Sequence, residues 1–375
     1  MSDRTLLVSV DSIRADHQKY LKRTDKFLDF EEKPVFATAP ATYTSFQAIV
    51  GGQYASENPS LDVVAEQFDD YSIGITTNNF LSHTYGYDNG FDYFNSPKSS
   101  MTSGWKSKVG MMLNPGSRRH KIAVKTWSKM QELKSSVPYL SVARDFRDAD
   151  SIIDEFDEKR ENHSNWFAWL HFMEPHHPYN PPDSQVSRSK AKSMSRKVRS
   201  SSNTTDSEED SVRSLYRDEV KLVDRKLERL WDMIPDDTRV VFCSDHGEYL
   251  GEGGYWGHGG DLTPTVLKVP LAYKGLNTVP SGDVVSLIDI PSILLGRSSY
   301  GKGKTDRSYA YATSDDSKAV LGTEGYVNKN GVFDYDGEEI SNDELESKYE
   351  NFSSSSSSRM DAGVEEDLRS LGYLE

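Results

Sequence analysis

A single cysteine, Cys243, stands in a chain of 375 residues. No intramolecular disulfide is possible, so packing alone must hold the core. Cationic side chains are also scarce: 44 Lys and Arg face 59 Asp and Glu, for a formal net charge of −15. Such an acidic surface repels phosphate backbones and excludes a general nucleic-acid binder. No apolar run approaches the roughly 20 residues needed to span a bilayer. The opening Met1-Ser2-Asp3-Arg4 leads straight into an apolar run, with no signal-peptide layout. A cytoplasmic protein without a membrane span is expected. Internal repeats are absent as well.

What the chain does have is a set of short apolar runs that alternate with amphipathic ones. Leu6 to Val10, Tyr71 to Thr76, Trp166 to Phe172, Arg239 to Cys243 and Val269 to Tyr273 read as strands. Ser45 to Val50, Leu61 to Phe68 and Ser211 to Trp231 read as helices; in the last, Leu215, Val220, Leu222, Val223, Leu227 and Leu230 recur at helical spacing. This alternation predicts an α/β fold with a central, mostly parallel sheet flanked by helices. The catalytic part is expected over 1–300. Mobile, solvated insertions are expected near 98–140 and 184–210, where basic and serine-rich stretches replace the periodic pattern. The second of these carries Arg188, Lys190, Lys192, Arg196, Lys197 and Arg199 and would suit a collar that attracts an anionic substrate. A small antiparallel C-terminal subdomain is expected over 301–375, with a serine linker at 353–358 and a terminal helix at 364–371.

Three clusters of carboxylate and imidazole follow strand-like runs directly: Asp11, the Glu174-Pro175-His176-His177 group, and Asp245-His246 with His258 beyond. In parallel sheets functional groups gather at the carboxyl ends of strands, so the three predict one shared edge. Carboxylate with imidazole suits Zn²⁺ or Mn²⁺, and with more oxygen ligands Ca²⁺. Taken singly, each cluster also has a structural explanation, as a helix cap or a polar turn. Thr42 precedes the helix at 45–50, where a hydroxyl meets unpaired amides and the positive end of the helix dipole. The same position suits a plain N-cap. The two readings separate on whether a metal site lies beside Thr42.

Taken in order, these segments resemble the sulfatase-like branch of the alkaline phosphatase superfamily. The resemblance rests on LLVSVDSIRADH, ATYTSFQAIVGGQY, GITTNNFLSHTYGYDNGFDYF, LHFMEPHHPYNPP, YRDEVKLVDRKLERL, VVFCSDHGEYLGEGGYWGHGG, LKVPLAYKG and DLRSLGYLE. It implies an alkaline-phosphatase-like sandwich and a divalent metal (Ca, Mn or Zn) held by Asp11, Asp245 and His246. Thr42 takes the place of the covalent nucleophile that also touches the metal. His176 takes the place of a histidine that holds the ester or assists the leaving group. His258 falls where phosphate-processing relatives have a histidine, and Glu174 would join a second metal.

The chain also departs from this pattern. Formylglycine sulfatases carry Cys or Ser and then x-Pro-x-Arg, whereas positions 42–46 read Thr-Tyr-Thr-Ser-Phe. The family's Asp-Asp pair is Asp11-Ser12. A threonine nucleophile matches the phosphodiesterases and phosphoethanolamine transferases of the superfamily. The expected function is a metal-dependent hydrolase or transferase of phosphate or sulfate esters, with a glycan or lipid head group as the ester's carrier. The alternative is a degenerate, non-catalytic member that binds an anionic glycan or lipid head group, or acts as an assembly partner.

Overall fold

The computed structural model describes residues 4–55, 61–97, 144, 146–200, 203–314 and 317–352. The central sheet has seven strands: β1 (Arg4–Val10), β2 (Asp29–Phe30), β3 (Tyr71–Ile75), β4 (Tyr93–Asn95), β5 (Trp166–Phe172), β6 (Arg239–Ser244) and β7 (Leu271–Lys274). Their spatial order is β2-β7-β6-β1-β5-β3-β4. The pairs from β6 through β4 are parallel, and β7 is antiparallel to β6. β1, β5 and β6 are apolar on both sides because both faces of the sheet are covered.

Alternate residues serve the two faces. Leu7, Phe167, Trp169, Val241 and Cys243 pack with Phe46, Ile49 and Val50 of α1 (Thr42–Gly51). On the other face Leu6, Val8, Val10, Ala168, Leu170, Phe172 and Phe242 pack against two further helices. One is α2 (Ala149–Arg160), through Ile152, Ile153 and Phe156. The third helix in chain order, α3 (Arg188–Ser200), packs beside α4 (Asp206–Met233) and adds Ala191 and Val198 to the same cluster. α4 buries Leu215, Tyr216, Val220, Val223, Leu227 and Leu230 against the sheet. It begins in a capping box: Thr205 Oγ1 accepts from Glu208 N, and Glu208 Oε2 accepts from Thr205 N.

Two expectations need correction. Leu61 to Phe68 is not an amphipathic helix; only Val64–Gln67 forms a short 3₁₀ turn. Its apolar residues Leu61, Val63, Val64 and Ala65 are bunched rather than spaced at helical period, and all of them enter the core. The stretch 184–210 is not a mobile loop either. It holds α3 and the start of α4. Ala191, Ser195 and Val198, at i, i+4 and i+7, are buried. The serines and cations around this face lower the mean hydropathy of the stretch and hide its helical period. The insertion near 98–140, the linker at 353–358 and the helix at 364–371 lie outside the described residues.

Beyond residue 300 an antiparallel sheet forms from β8 (Ala310–Ser314), β9 (Ser317–Leu321), β10 (Tyr326–Asn328) and β11 (Gly331–Phe333), with α5 (Asp343–Asn351) against it. Ala310, Ala312, Ala319 and Leu321 belong to the same apolar cluster as Phe46. Val320, Val327, Val332 and Leu345 form a small cluster of their own. Among the described residues no helix is long and apolar enough to cross a membrane.

Register decides where chemistry can sit. Val10 pairs with Phe172 on one side and with Ser244 on the other. Asp11, Glu174 and Asp245 therefore leave the sheet at one edge. Cys243, one residue before this edge, is fully buried, and burial pushes its thiol well above the ordinary range. A core role predicts that Cys243→Ala leaves catalysis intact and costs about 1 kcal/mol by urea unfolding. Cys243→Ser should cost about 1–3 kcal/mol, because the hydroxyl enters an apolar site. Loss of turnover in a folded Cys243→Ala protein would contradict this.

Candidate active site

Asp11, Asp245 and His246 are all fully buried, and one ligand atom from each lies within 4.8 Å of the others. Asp11 is held at the end of β1 by its amide, which donates to the Phe172 carbonyl at 2.9 Å. The next residue, Ser12, is the one non-glycine residue with positive φ (61°) among those described. Left-handed serine is a strained state costing on the order of 1–3 kcal/mol. Hydrogen bonds offset the strain. Ser12 N donates to Asp245 Oδ1 at 3.0 Å, Ser12 Oγ to Asp11 Oδ1 at 2.5 Å, and Tyr216 Oη to the Ser12 carbonyl at 2.7 Å. Ile13 N donates to Ser244 Oγ at 2.7 Å. The turn after β1 is thereby tied to the turn after β6. Ser12 orients both carboxylates through its amide and hydroxyl bonds.

His246 Nδ1 lies 2.9 Å from the Gly247 carbonyl. A carbonyl can only accept, so Nδ1 carries the proton and Nε2 faces the site. Nε2 is 3.3 Å from Thr42 Oγ1 and 3.5 Å from Asp245 Oδ2. Thr42 Oγ1 donates to Asp11 Oδ2 at 3.2 Å. The N-cap of α1 is Ala41, which makes no side-chain cap bond. The Thr42 hydroxyl therefore points to the carboxylate and imidazole and does not cap the helix.

Burial raises the carboxyl of Asp245, and the neighbouring Asp11 adds to it, bringing it to about 7. Burial also opposes ionisation of Asp11, but His176, His246 and His171 outweigh it and lower its pKa. Asp245 Oδ2 is buried without a hydrogen bond. Two buried carboxylates, one aimed imidazole nitrogen and a hydroxyl form a donor set with unmet need for a cation. The set fits a divalent ion of the Zn²⁺ or Mn²⁺ kind, and the oxygen-rich part suits Ca²⁺ as well.

The other imidazoles stand close by. The ring centroid of His258 is 4.5 Å from that of His246 and 5.9 Å from that of His176. Burial lowers the pKa of His176 and lowers His258 well below the ordinary value. Thr42, His176 and His258 are thus brought together with Asp11, Asp245 and His246. Glu174 is not part of this group. It turns toward α2, where its Oε1 accepts from Ala149 N at 2.7 Å and caps the helix start, while its buried Oε2 has no hydrogen bond. The amide at a helix start offers an unpaired donor that a carboxylate fills well.

Several residues escaped sequence reasoning. His171, inside apolar β5, lies with Nε2 3.8 Å from Asp11 Oδ2, and burial lowers its pKa to about 4. Its Nδ1 is 3.1 Å from Ser9 Oγ, which accepts from Trp169 Nε1 at 2.9 Å. A lone histidine in an apolar strand was the available signal. Glu248 accepts from Tyr179 Oη at 2.5 Å, and burial raises its carboxyl to about 7.

With this geometry in place, the family match is unambiguous. A family model described as Sulfatase matches residues 5–271. The chain belongs to the sulfatase family. Over 65 residues it is 46% identical to the low-salt glycan biosynthesis sulfotransferase Agl7 of Haloferax volcanii, covering 16% of this chain and 15% of that protein. The aligned part is thus under a fifth of that relative's length. The fold is shared with the phosphonate monoester hydrolase SpPMH from Silicibacter pomeroyi, at TM-score 0.55, 16% identity and 90% coverage of each chain. It is also shared with a protein in the alkaline phosphatase superfamily from Vibrio parahaemolyticus, at TM-score 0.57, 14% identity, and 100% and 89% coverage. The alkaline-phosphatase-like sandwich expected from the motifs is the one observed.

The cap role of Glu174 has a pH signature. Burial raises its carboxyl from 4.5 to about 7, against the opposing charge of Arg144. Between those values the folded state binds the proton more tightly than the unfolded chain, so stability falls as pH rises through that window. Glu174→Gln should flatten this fall, by about 3 kcal/mol at most. Melting curves from pH 4.5 to 8 that keep the same slope in both proteins would rule out the protonated cap.

Proposed function

We propose that the chain is a metal-dependent transferase or hydrolase of sulfate or phosphate esters, with Thr42 as its nucleophile. The observation that carries this is the Thr42 hydroxyl, 3.2 Å from Asp11 Oδ2 and 3.3 Å from His246 Nε2 at the start of α1. Asp11, Asp245 and His246, with Thr42, would hold the divalent ion. When bound, it would supply Lewis acidity and lower the pKa of the threonine hydroxyl.

The chain's own groups account for the rest. Asp11 accepts the hydrogen bond from Thr42 and stands ready for its proton. Thr42 Oγ1 forms a bond to sulfur or phosphorus as the bond to the leaving oxygen breaks, and the first amides of α1 face the non-bridging oxygens. The leaving oxygen takes up the proton that Asp11 received, or one from solvent, while His176 and His258, held neutral by burial, donate hydrogen bonds to it. Water or an acceptor hydroxyl then attacks the covalent intermediate and frees Thr42. The short match to a sulfotransferase supports transfer to an acceptor alongside hydrolysis. A glycan or a lipid head group would carry the ester.

Purified protein supplied with Mn²⁺, Zn²⁺ or Ca²⁺ should cleave an aryl phosphodiester or an aryl sulfate. Thr42→Ala should lower turnover by about a thousandfold or more with little change in melting temperature. Turnover that survives this substitution would remove Thr42 as nucleophile. Absence of both turnover and stoichiometric metal would favour the non-catalytic reading.

A further inference from the structure

Helix α3 carries six cations and no acid. It is fastened to the loop after β5 at two points. His177 Nε2 donates to the Ser195 carbonyl at 2.8 Å, and Tyr179 N donates to Ser195 Oγ at 3.0 Å. With Val198 buried, the next residue, Arg199, turns along the hairpin that leads to His258. Gly257 leaves room for it there. A methyl group on the Gly257 Cα would lie 3.2 Å from Arg199 Nε and 3.3 Å from its Cζ. The guanidinium therefore sits where the loop carrying His176 meets the loop carrying His258. Its charge reaches His176, His177, His258 and Glu248. Lys197 on the same helix is paired with Glu208 at 2.7 Å, whereas Arg199 forms no ion pair among the described residues.

A half-buried guanidinium between the His176 and His258 loops, with no carboxylate in ion-pair contact among the described residues, is a cation available to an anion. We propose that Arg199 is the residue that binds the non-bridging oxygens of the substrate's sulfuryl or phosphoryl group, and so selects tetrahedral oxyanion esters. This deepens the reading of Thr42 as nucleophile and rests on it for the identity of the transferred group. The planar fork of arginine can bind two such oxygens at once, which a lysine ammonium cannot match.

The test uses the full chain loaded with Mn²⁺. Binding of inorganic phosphate and inorganic sulfate is measured by calorimetry, and KM and kcat on an aryl phosphodiester and an aryl sulfate by steady-state kinetics. Arg199→Gln should weaken anion binding and raise KM by about 10- to 100-fold, with melting temperature unchanged. Arg199→Lys should recover part of the loss. Thr42→Ala should keep anion binding while losing turnover. If Arg199→Gln binds both anions like the parent protein, the proposal is overturned, even where kcat or melting temperature falls, because Arg199 is then only a brace. If Arg199→Gln loses anion binding while Thr42→Ala still turns over, Arg199 stands and the nucleophile assignment fails.

Discussion

Two carboxylates buried side by side, Asp11 and Asp245, impose the condition that the rest of the site meets. They leave adjacent parallel strands at matched register, β1 at Val10 opposite β6 at Ser244. Hydrogen-bonded strands lie about 4.8 Å apart, so the two side chains have no room to separate. Neither reaches water. Like charges this close in a poorly polarisable interior cannot both persist unless donors or a cation surround them. Ser12 N, Ser12 Oγ, His246 N and Thr42 Oγ1 supply donors to three of the four oxygens. The fourth, Asp245 Oδ2, is left open at the place where a cation would sit. The strained turn at Ser12 belongs to the same solution, since only that backbone aims its amide at Asp245 while its hydroxyl reaches Asp11.

Support for Asp11 extends downward through β1 and β5 rather than outward to solvent. Trp169 Nε1, Ser9 Oγ and His171 form a buried polar chain that ends 3.8 Å from Asp11 Oδ2. Phe46 of α1 packs its edge against His171, with ring centroids 4.9 Å apart. The helix that presents Thr42 is thus locked by apolar packing to the strand that supports Asp11. Thr42 and Asp11 are positioned by one packed unit, and groups held in this way need little reorganisation.

Much of this was legible in the sequence, and the limits follow from physics. β1, β5 and β6 stood out because strands buried on both faces must be continuously apolar. Asp11, Asp245 and His246 stood out because each breaks such a run with a metal-ligand type. α3 did not, since its serines and six cations lower the mean hydropathy and mask the period of its buried face. The helix bond of Glu174 was not legible, because a carboxylate near histidines has the same local spelling whether it faces an ion or a helix amide. Its neighbour on α2, Ala149, lies 25 positions away and cannot be read from local pattern. His171 and Arg199 acquire meaning only from contacts across the fold.

The charge distribution ties function to composition. A chain with formal charge −15 repels the anionic esters its family handles, and long-range steering would work against it. A local reversal of sign is therefore required at the mouth of the site. α3 provides it as one uninterrupted basic helix, joined by Ser195 to the loop that carries His176 and His177. Charges act over about 8–10 Å at ordinary ionic strength, so near that helix its cations would outweigh the distant net charge. The Cys243-Ser244-Asp245-His246 strand end and the basic helix then divide the task. The first holds the two buried carboxylates, and the second would favour the approach of anions despite them.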